Sequence, residues 1–284
     1  MWEDTFDRAA PDYDAPELWF LDDAAAALAE AVGIETGERV LDVATGTGKL
    51  AASATAGVGE DGLVVGVDVS GGMLRQARRS VASPRASFVQ ADAAVLPLRD
   101  RSFDLALMGF GISFLPAPVA AFRDVRRVLR GEGRLGLSTT AHDCFAPLLD
   151  VFLDALERAG MPRPRRPREA WRSVDRPEHL EHVLRRAGFA ERRVRRLELG
   201  TFLEDPLEFW ALLRGSAWRG TIDRLSPADQ ARVREELGIG AERLREERGI
   251  PLRTPVLIAT ATRGRVPLRT LVGPITGRVR KAFR

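Results

Sequence analysis

The stretch Arg39-Val-Leu-Asp-Val-Ala-Thr-Gly-Thr-Gly-Lys49 restricts the fold of this chain more than any other. Val40, Leu41 and Val43 make a short apolar run between turn signals, the pattern of a strand buried on both faces of a parallel sheet. Gly46 and Gly48 follow at once and allow a sharp turn with close approach to the backbone. Lys49 to Ala56 then holds good helix formers, and the first amides of such a helix point back over the turn. A strand, a glycine turn and a helix in this order make a cradle for a nucleotide. A phosphate-cradling P-loop does not fit, because Val43 stands five residues before Gly48 and Leu50 follows Lys49. A dinucleotide turn fits the letters: Gly46-Thr-Gly48-Lys-Leu-Ala51 satisfies Gly-x-Gly-x-x-Gly/Ala, and Asp68 lies a helix and a strand further on. Asp42 weighs against it, since a carboxylate at the end of the first strand repels a pyrophosphate and attracts a cation.

The alternation of strands and helices continues along the chain. Leu21 to Val32 is alanine-rich, lacks proline and reads as a helix ended by Gly33. Leu63 to Val69 is a β-branched run, Gly71 to Val81 has Met73, Leu74 and Ala77 at helical spacing, and Ala86 to Gln90 is a short strand. Phe103 to Met108 is a fourth strand, Ala117 to Leu129 an amphipathic helix, and Leu135 to Ser138 a fifth strand. Such alternation predicts an α/β fold with a doubly wound parallel sheet, whose ligands sit at the carboxyl ends of the strands.

Val40-Leu-Asp-Val-Ala-Thr-Gly-Thr-Gly48, Val67-Asp68-Val69-Ser70, Gln90-Ala-Asp92-Ala93, Phe103-Asp-Leu-Ala-Leu107 and Arg127-Val-Leu-Arg-Gly-Glu-Gly133 together resemble, in order, five motifs of the class I methyltransferases that use S-adenosylmethionine, and within them the small-molecule, quinone-biosynthesis type. The resemblance covers residues 38 to 140 or so and is weaker through Ala187-Gly-Phe189 and Phe202-Leu-Glu-Asp-Pro206. It implies a Rossmann-like, seven-stranded, mostly parallel sheet with helices on both faces and a helical cap. It implies S-adenosylmethionine as cofactor, held by Asp42, Ala44, Thr45, Gly46, Gly48, Asp68, Val69, Met73, Asp92, Ala93 and Gly109. Asp68 is placed to accept hydrogen bonds from ribose hydroxyls, which suits a carboxylate's several lone pairs. Asp92 and the Ala93 amide would read the adenine edge, and Met73 either packs on the adenine or belongs to the core. Gly109 and Phe110 end the fourth strand where the family holds the methyl donor. The segment before the first helix often folds across the cofactor in this family, so Tyr13 either lines the site or packs in the core.

Beyond Thr140 lies the acceptor side. His142, in Thr139-Thr-Ala-His-Asp-Cys-Phe145, leaves the fifth strand on the ligand face and is the candidate general base. Phe110, Phe145 and Trp210 are read as lining the acceptor pocket with Tyr13, and Cys144 lacks the partner that would make it a nucleophile. Leu148 to Ala159 reads as a helix, broken by the proline- and arginine-rich Gly160 to Arg168, which is a solvated loop or a lid bringing Arg165 or Arg166 to an anionic substrate. Pro177 to Ala187 is a helix whose His179 and His182 share a face without a third ligand, so no metal is expected. Arg192 to Leu203 reads as strand six and Pro255 to Ala261 as the closing strand. Helices between them, Pro206 to Leu213 and Pro227 to Leu244, with Phe209, Trp210 and Trp218, form part of a cap. The organisation is then a helical segment over the cofactor site at 1–37, a cofactor-binding core at 38–140, the rest of the sheet with acceptor-side helices at 141–263, and a basic tail at 264–284.

Composition narrows the function classes. Residues 1–150 carry a net charge of −8 and residues 151–284 one of +11, almost all of the positive charge being arginine, which compositional drift explains as well as an anionic partner does. No nucleic-acid module or base-amino methylase motif is visible, so nucleic acid is not the expected partner. One cysteine, the absence of a signal sequence and the lack of a long apolar run point to a cytoplasmic protein without membrane insertion, a monomer or a homodimer. The expected activity is methyl transfer to a small hydrophobic or aromatic molecule, at oxygen or carbon. Non-methyl chemistry such as cyclisation on the same cofactor, an RNA or DNA methyltransferase, a nicotinamide dehydrogenase and a non-enzymatic binding role are the competing readings.

Overall fold

The computed structural model describes residues 2–163 and 174–264. The chain opens with helix α1 (Trp2–Ala9), two short 3-10 turns and α2 (Phe20–Val32), which Gly33 closes in the left-handed conformation. Then follow β1 (Arg39–Val43), α3 (Lys49–Val58), β2 (Leu63–Asp68), α4 (Gly71–Ser80), β3 (Ala86–Gln90) and β4 (Phe103–Gly109). The next elements are α5 (Pro118–Val128), β5 (Leu129–Thr140), α6 (Leu148–Arg158) and α7 (Pro177–Ala187). They are followed by β6 (Ala190–Leu197), β7 (Gly200–Leu203), α8 (Pro206–Arg214), α9 (Arg219–Ile222), α10 (Pro227–Glu242), β8 (Ile250–Arg253) and β9 (Val256–Thr262).

Seven of the strands form one sheet in the order β3-β2-β1-β4-β5-β9-β6. The first five pair in parallel, and β9 runs antiparallel between β5 and β6. The expected seven-stranded, mostly parallel sheet is therefore present. Alternation of side chains divides the core in two. Val40, Leu105 and Leu107 face a cluster containing residues of α2, α3 and α6, while Leu41, Val43, Ala106 and Met108 face one containing residues of α5 and α7. The strand order reverses between β1 and β4, and the turns after these strands open on the same end of the sheet as those after β2 and β5.

One expected strand is in fact two. The stretch from Arg192 to Leu203 divides at Glu198 and Leu199: β6 pairs with β9, whereas β7 pairs with β8 in a separate two-stranded sheet. The cause is the length of the partner. β9 begins at Val256, opposite Leu197, so the residues beyond Leu197 have no ladder to continue on and find theirs in Ile250–Arg253. β8 itself carries too little alternation to read as a strand. The Arg165 and Arg166 of the expected lid and most of the tail from residue 264 lie outside the described residues. Among the described residues no helix is long and apolar enough to cross a membrane.

Gly136 shows how closely α2 is seated on the sheet. A Cβ there would stand 2.3 Å from Val32 Cγ1 and 3.1 Å from Leu28 Cδ1, both fully buried residues of α2. Gly136→Ala is expected to destabilise the protein by about 1–3 kcal/mol through overpacking, read as a lower urea midpoint at unchanged slope.

Candidate functional site

Three adjoining cavities lie at the carboxyl ends of the strands, and Tyr13 and Phe110 line all three. The smallest, about 40 Å³, is enclosed by Asp42, Ala44, Thr45, Gly46, Thr47, Gly109 and neighbouring residues. A second, about 250 Å³, is lined by Asp68, Val69, Met73, Asp92 and Ala93, together with Trp2 and Phe6 of α1. The third, about 200 Å³, is largely apolar, with Phe20, Phe114, Phe145 and Trp218 among its walls and His142, Cys144 and Asp175 as its ionisable groups besides Tyr13. The site is thus a carboxylate-lined cleft that meets an aromatic chamber at Tyr13 and Phe110.

The turn after β1 is built on unusual backbone. Ala44 and Gly46 have positive φ (55° and 56°), and the Thr45 amide donates to the Val67 carbonyl, tying this turn to β2. Asp68 completes the tie: its Oδ2 accepts from the Gly46 amide and its Oδ1 from the Ser70 amide, both at 2.9 Å. Two amides leave a carboxylate with lone pairs to spare on the cavity side. Gly48 lines none of the three cavities. Its φ of 90° and a Cβ position 2.9 Å from Val81 Cγ2 show that it also permits close packing against the end of α4.

Asp42 shares a strand face with Val40, so alternation drives it into the interior, where it is 0 % exposed. Its Oδ2 accepts from Thr45 Oγ1 at 2.6 Å, but Oδ1 has no hydrogen-bond partner. Burial pushes its pKa up to about 7, with the neighbouring Asp68 charge adding to the rise. Burial also raises the Asp68 pKa against the pull of its amide bonds. Asp42 lines the small cavity and Asp68 the larger one beside it, and two carboxylates that resist ionising in adjoining cavities suit a cationic group between them. Asp92 stands at the rim of the second cavity, its Oδ1 accepting from the Ala94 amide at 2.8 Å. Met73 is buried under the same cavity on α4, so it serves core and lining together.

The N-terminal segment lies across the cleft and is held by acids. Asp7 Oδ1 accepts from Ser70 Oγ at 2.6 Å and the Gly72 amide at 2.7 Å, so a carboxylate of α1 caps the N-terminus of α4. Asp14 accepts from Thr47 Oγ1 at 2.8 Å, and Arg8 and Arg219 pair with Asp223 and Asp12. These bonds seat Tyr13 between the cavities, where burial and the charges of Asp68 and Asp14 raise the pKa of its hydroxyl. The sequence shows this segment as acidic and aromatic, and the acids prove to be its fastenings.

On the acceptor side His142 lines the chamber, with its side chain 42 % exposed and Nδ1 3.6 Å from Asp143 Oδ1. Asp143 is itself held by a two-pronged pair with Arg196, both bonds at 2.8 Å, which keeps its carboxyl below the usual range. Phe110 and Phe145 line the chamber, and both have positive φ, 58° and 69°. Trp210 does not line it, and Trp218, in the turn before α9, forms the wall instead; both rings stand edge-on to Phe152. Cys144 is buried, and burial lifts its thiol far above the range in which a thiolate forms. His179 and His182 lie apart in their contacts, His179 Nδ1 being 3.5 Å from Asp175 Oδ1 and His182 Nδ1 3.3 Å from an Arg185 nitrogen. Among the described residues no group of three metal-binding side chains comes together. Asp175 is absent from the sequence-derived site: it follows the proline- and arginine-rich stretch, and the bond from the His142 amide to its carbonyl, 3.0 Å, together with the burial of Val174, holds it at the chamber.

Comparison with known proteins gives this geometry relatives. The Methyltransferase domain family matches residues 40–133. A demethylmenaquinone methyltransferase of Symbiobacterium thermophilum is 32 % identical over 226 residues, covering 69 % of this chain and 87 % of that protein. One from Renibacterium salmoninarum is 38 % identical over 130 residues, covering 46 % of this chain, which spans about half of that relative's length, 53 %. A solved structure of a putative methyltransferase from Bacillus halodurans shares the fold at a TM-score of 0.57 and 20 % identity, covering 85 % of this chain and 99 % of that one.

The Asp42 pKa, about 7, lies above its ordinary value of 3.8, so its cost to the folded state is absent in acid and grows as pH rises from the lower value through the higher. Asp42→Asn keeps an acceptor for Thr45 and is expected to raise stability by on the order of 1–3 kcal/mol at about pH 8 and hardly at all near pH 4. Thermal melts of both proteins across that range check the sign.

Proposed function

The chain belongs to the class I methyltransferases that use S-adenosylmethionine, in the group of the quinone-biosynthesis enzymes, and from that membership we propose that it methylates a small, planar, apolar acceptor seated in the aromatic chamber. The observation that carries this reading is the junction of cleft and chamber: Tyr13 and Phe110 line both, so a ligand in one can touch a ligand in the other. The cleft's groups fit the cofactor. Asp42, with an unpartnered oxygen beside the smallest cavity, would attract its ammonium. The spare lone pairs of Asp68 suit ribose hydroxyls, and Val69, Met73, Asp92 and Ala93 would enclose the adenine. Gly109 lines both cavities of the cleft, and the lack of a Cβ there, which would stand 2.9 Å from Leu50 Cδ1, lets α3 pack close to the end of β4.

The cofactor, when bound, supplies an electrophilic methyl group on a sulfonium. The chain's own contribution is alignment and dryness: rings edge-on to one another, Phe20 to Phe110 and Phe20 to Phe145 at 5.9 and 5.6 Å between centroids, wall the acceptor from water. Transfer disperses the positive charge, which a low-polarity wall favours. An oxygen or carbon acceptor bearing a hydroxyl must also give up a proton, and His142 and Asp175 are the two groups of the wall placed to accept it. The chamber's apolar, aromatic walls favour a ring of quinone or phenol type.

Isothermal titration of the purified protein with S-adenosylmethionine and, separately, NADH tests the cofactor. Binding of the former without the latter is expected, and the reverse would return Gly46 and Gly48 to the dinucleotide reading. Asp68→Ala is expected to weaken S-adenosylmethionine by about 10- to 100-fold, the scale of hydrogen bonds to a charged group. Incubation with phenols, quinones and polyketides, scored by mass spectrometry for the gain of one methyl group, then identifies the acceptor class.

A further inference from the structure

Asp175 is the one carboxylate among the described residues that line the aromatic chamber. It is 9 % exposed, sits in the turn before α7, and follows Val174, which is fully buried. Its Oδ1 has no hydrogen-bond partner. A carboxylate in this position usually caps the helix that follows, but α7 receives no side-chain cap, and the amides of His179 and Leu180 bond to the Arg176 carbonyl. The nearest polar neighbour is His179 Nδ1, at 3.5 Å, and that atom also lacks a hydrogen-bond partner. Asp143, next to His142 in the chain but outside the chamber's lining, is instead held by two nitrogens of the Arg196 guanidinium. The Asp175 Oδ1 is shut off from the chamber and turned toward His179, so the carboxylate meets the chamber only through the rest of its edge, where a donor entering the chamber would relieve the cost of a buried charge.

We propose that Asp175 is the group that receives the hydroxyl hydrogen of an aromatic acceptor in this chamber, with His179 as the positioning residue behind it. The assignment rests on the methyl-transfer reading and sharpens it: the acceptor class is a ring bearing a hydroxyl. In the step, the acceptor's O–H bond gives its proton to an Asp175 oxygen as the oxygen, or a ring carbon made electron-rich by it, forms the bond to the methyl carbon. The sulfur–methyl bond breaks with its electron pair left on sulfur, so the sulfonium becomes a neutral thioether and the carboxylate a carboxylic acid. His179, with its side chain 40 % exposed, links Asp175 to solvent, to which the proton returns after turnover. His142, more open to solvent and adjacent to a committed carboxylate, remains a hydrogen-bonding group of the wall.

The test measures recognition of the hydroxyl, apart from turnover. 7-Hydroxycoumarin and coumarin differ by that group alone, and both are titrated by calorimetry into the full-length protein in mildly acidic buffer, where the hydroxyl keeps its proton. The native protein is expected to prefer 7-hydroxycoumarin by about tenfold or more, as for a hydrogen bond to a charged acceptor. Asp175→Ala is expected to abolish the preference while leaving coumarin affinity unchanged. Asp175→Asn, which keeps shape and one accepting oxygen, should retain part of it and serves if the alanine variant does not fold. His179→Gln should give an intermediate ratio, a readout that general loosening of the chamber would not move. A native protein without preference, an alanine variant that retains it, or failure of both coumarins to bind overturns the proposal. Because S-adenosylmethionine titration does not involve Asp175, a protein that binds the cofactor but shows no hydroxyl preference loses this assignment alone.

Discussion

Two backbone amides donated to one carboxylate hold the centre of this molecule together. Gly46 belongs to the turn after β1 and Ser70 to the turn after β2, and Asp68 accepts from both. Parallel pairing of β1 with β2 brings the two turns to the same end of the sheet, but pairing alone does not set the distance between them. The carboxylate does, and it is joined by the bond from Thr45 to the Val67 carbonyl. The positive φ of Ala44 and Gly46 is sustained by this lock, since strained backbone persists only where its surroundings over-determine it. The cleft is therefore pre-shaped before any ligand arrives, which lowers the ordering cost of binding.

The same arrangement gathers negative charge in a dry place. Asp42 and Asp68 lie side by side, each lifted by burial, and Asp42 keeps one oxygen without a donor. A core selected for stability alone would place an apolar residue there, as Val40 does two positions earlier on the same strand face. That the position is acidic locates a compromise between stability and ligand recognition, of the kind that concentrates at functional sites. The polar fastenings of the N-terminal segment serve the opposite end: Asp7, Asp12 and Asp14 find donors on α4, α9 and the β1 turn, and so they cost the fold little while they close the cleft.

Much of this was readable from residues a few positions apart. β3 over Ala86–Gln90 and α7 over Pro177–Ala187 match their expected bounds, because a short run holding Phe88 and Val89 and a proline at the first helical turn are local signals. The carboxylates of the cleft were legible for the same reason, each ending a strand next to a turn. The single strand expected over Arg192–Leu203 was not, since where it divides depends on the first residue of β9, some sixty positions later. Nor was the choice between Trp210 and Trp218, two aromatic residues within one cap that both pack on Phe152, because which of them meets the chamber is set by how the cap rests on the remainder of the molecule.

The sequence by itself determined the strand, turn and helix of the first motif, the parallel order of the sheet's core and the acids that line its cleft. Glycine angles, alternation and the chemistry of a carboxylate at a strand end act over short range and need no knowledge of the rest. Only the tertiary structure decided the acceptor chamber. Phe6, Phe20, Phe110, Phe145, Asp175 and Trp218 come from separate segments and have no common spacing. Which faces of those segments meet is set by packing across the whole molecule, and so is the exposure of each ionisable group, on which its chemistry depends.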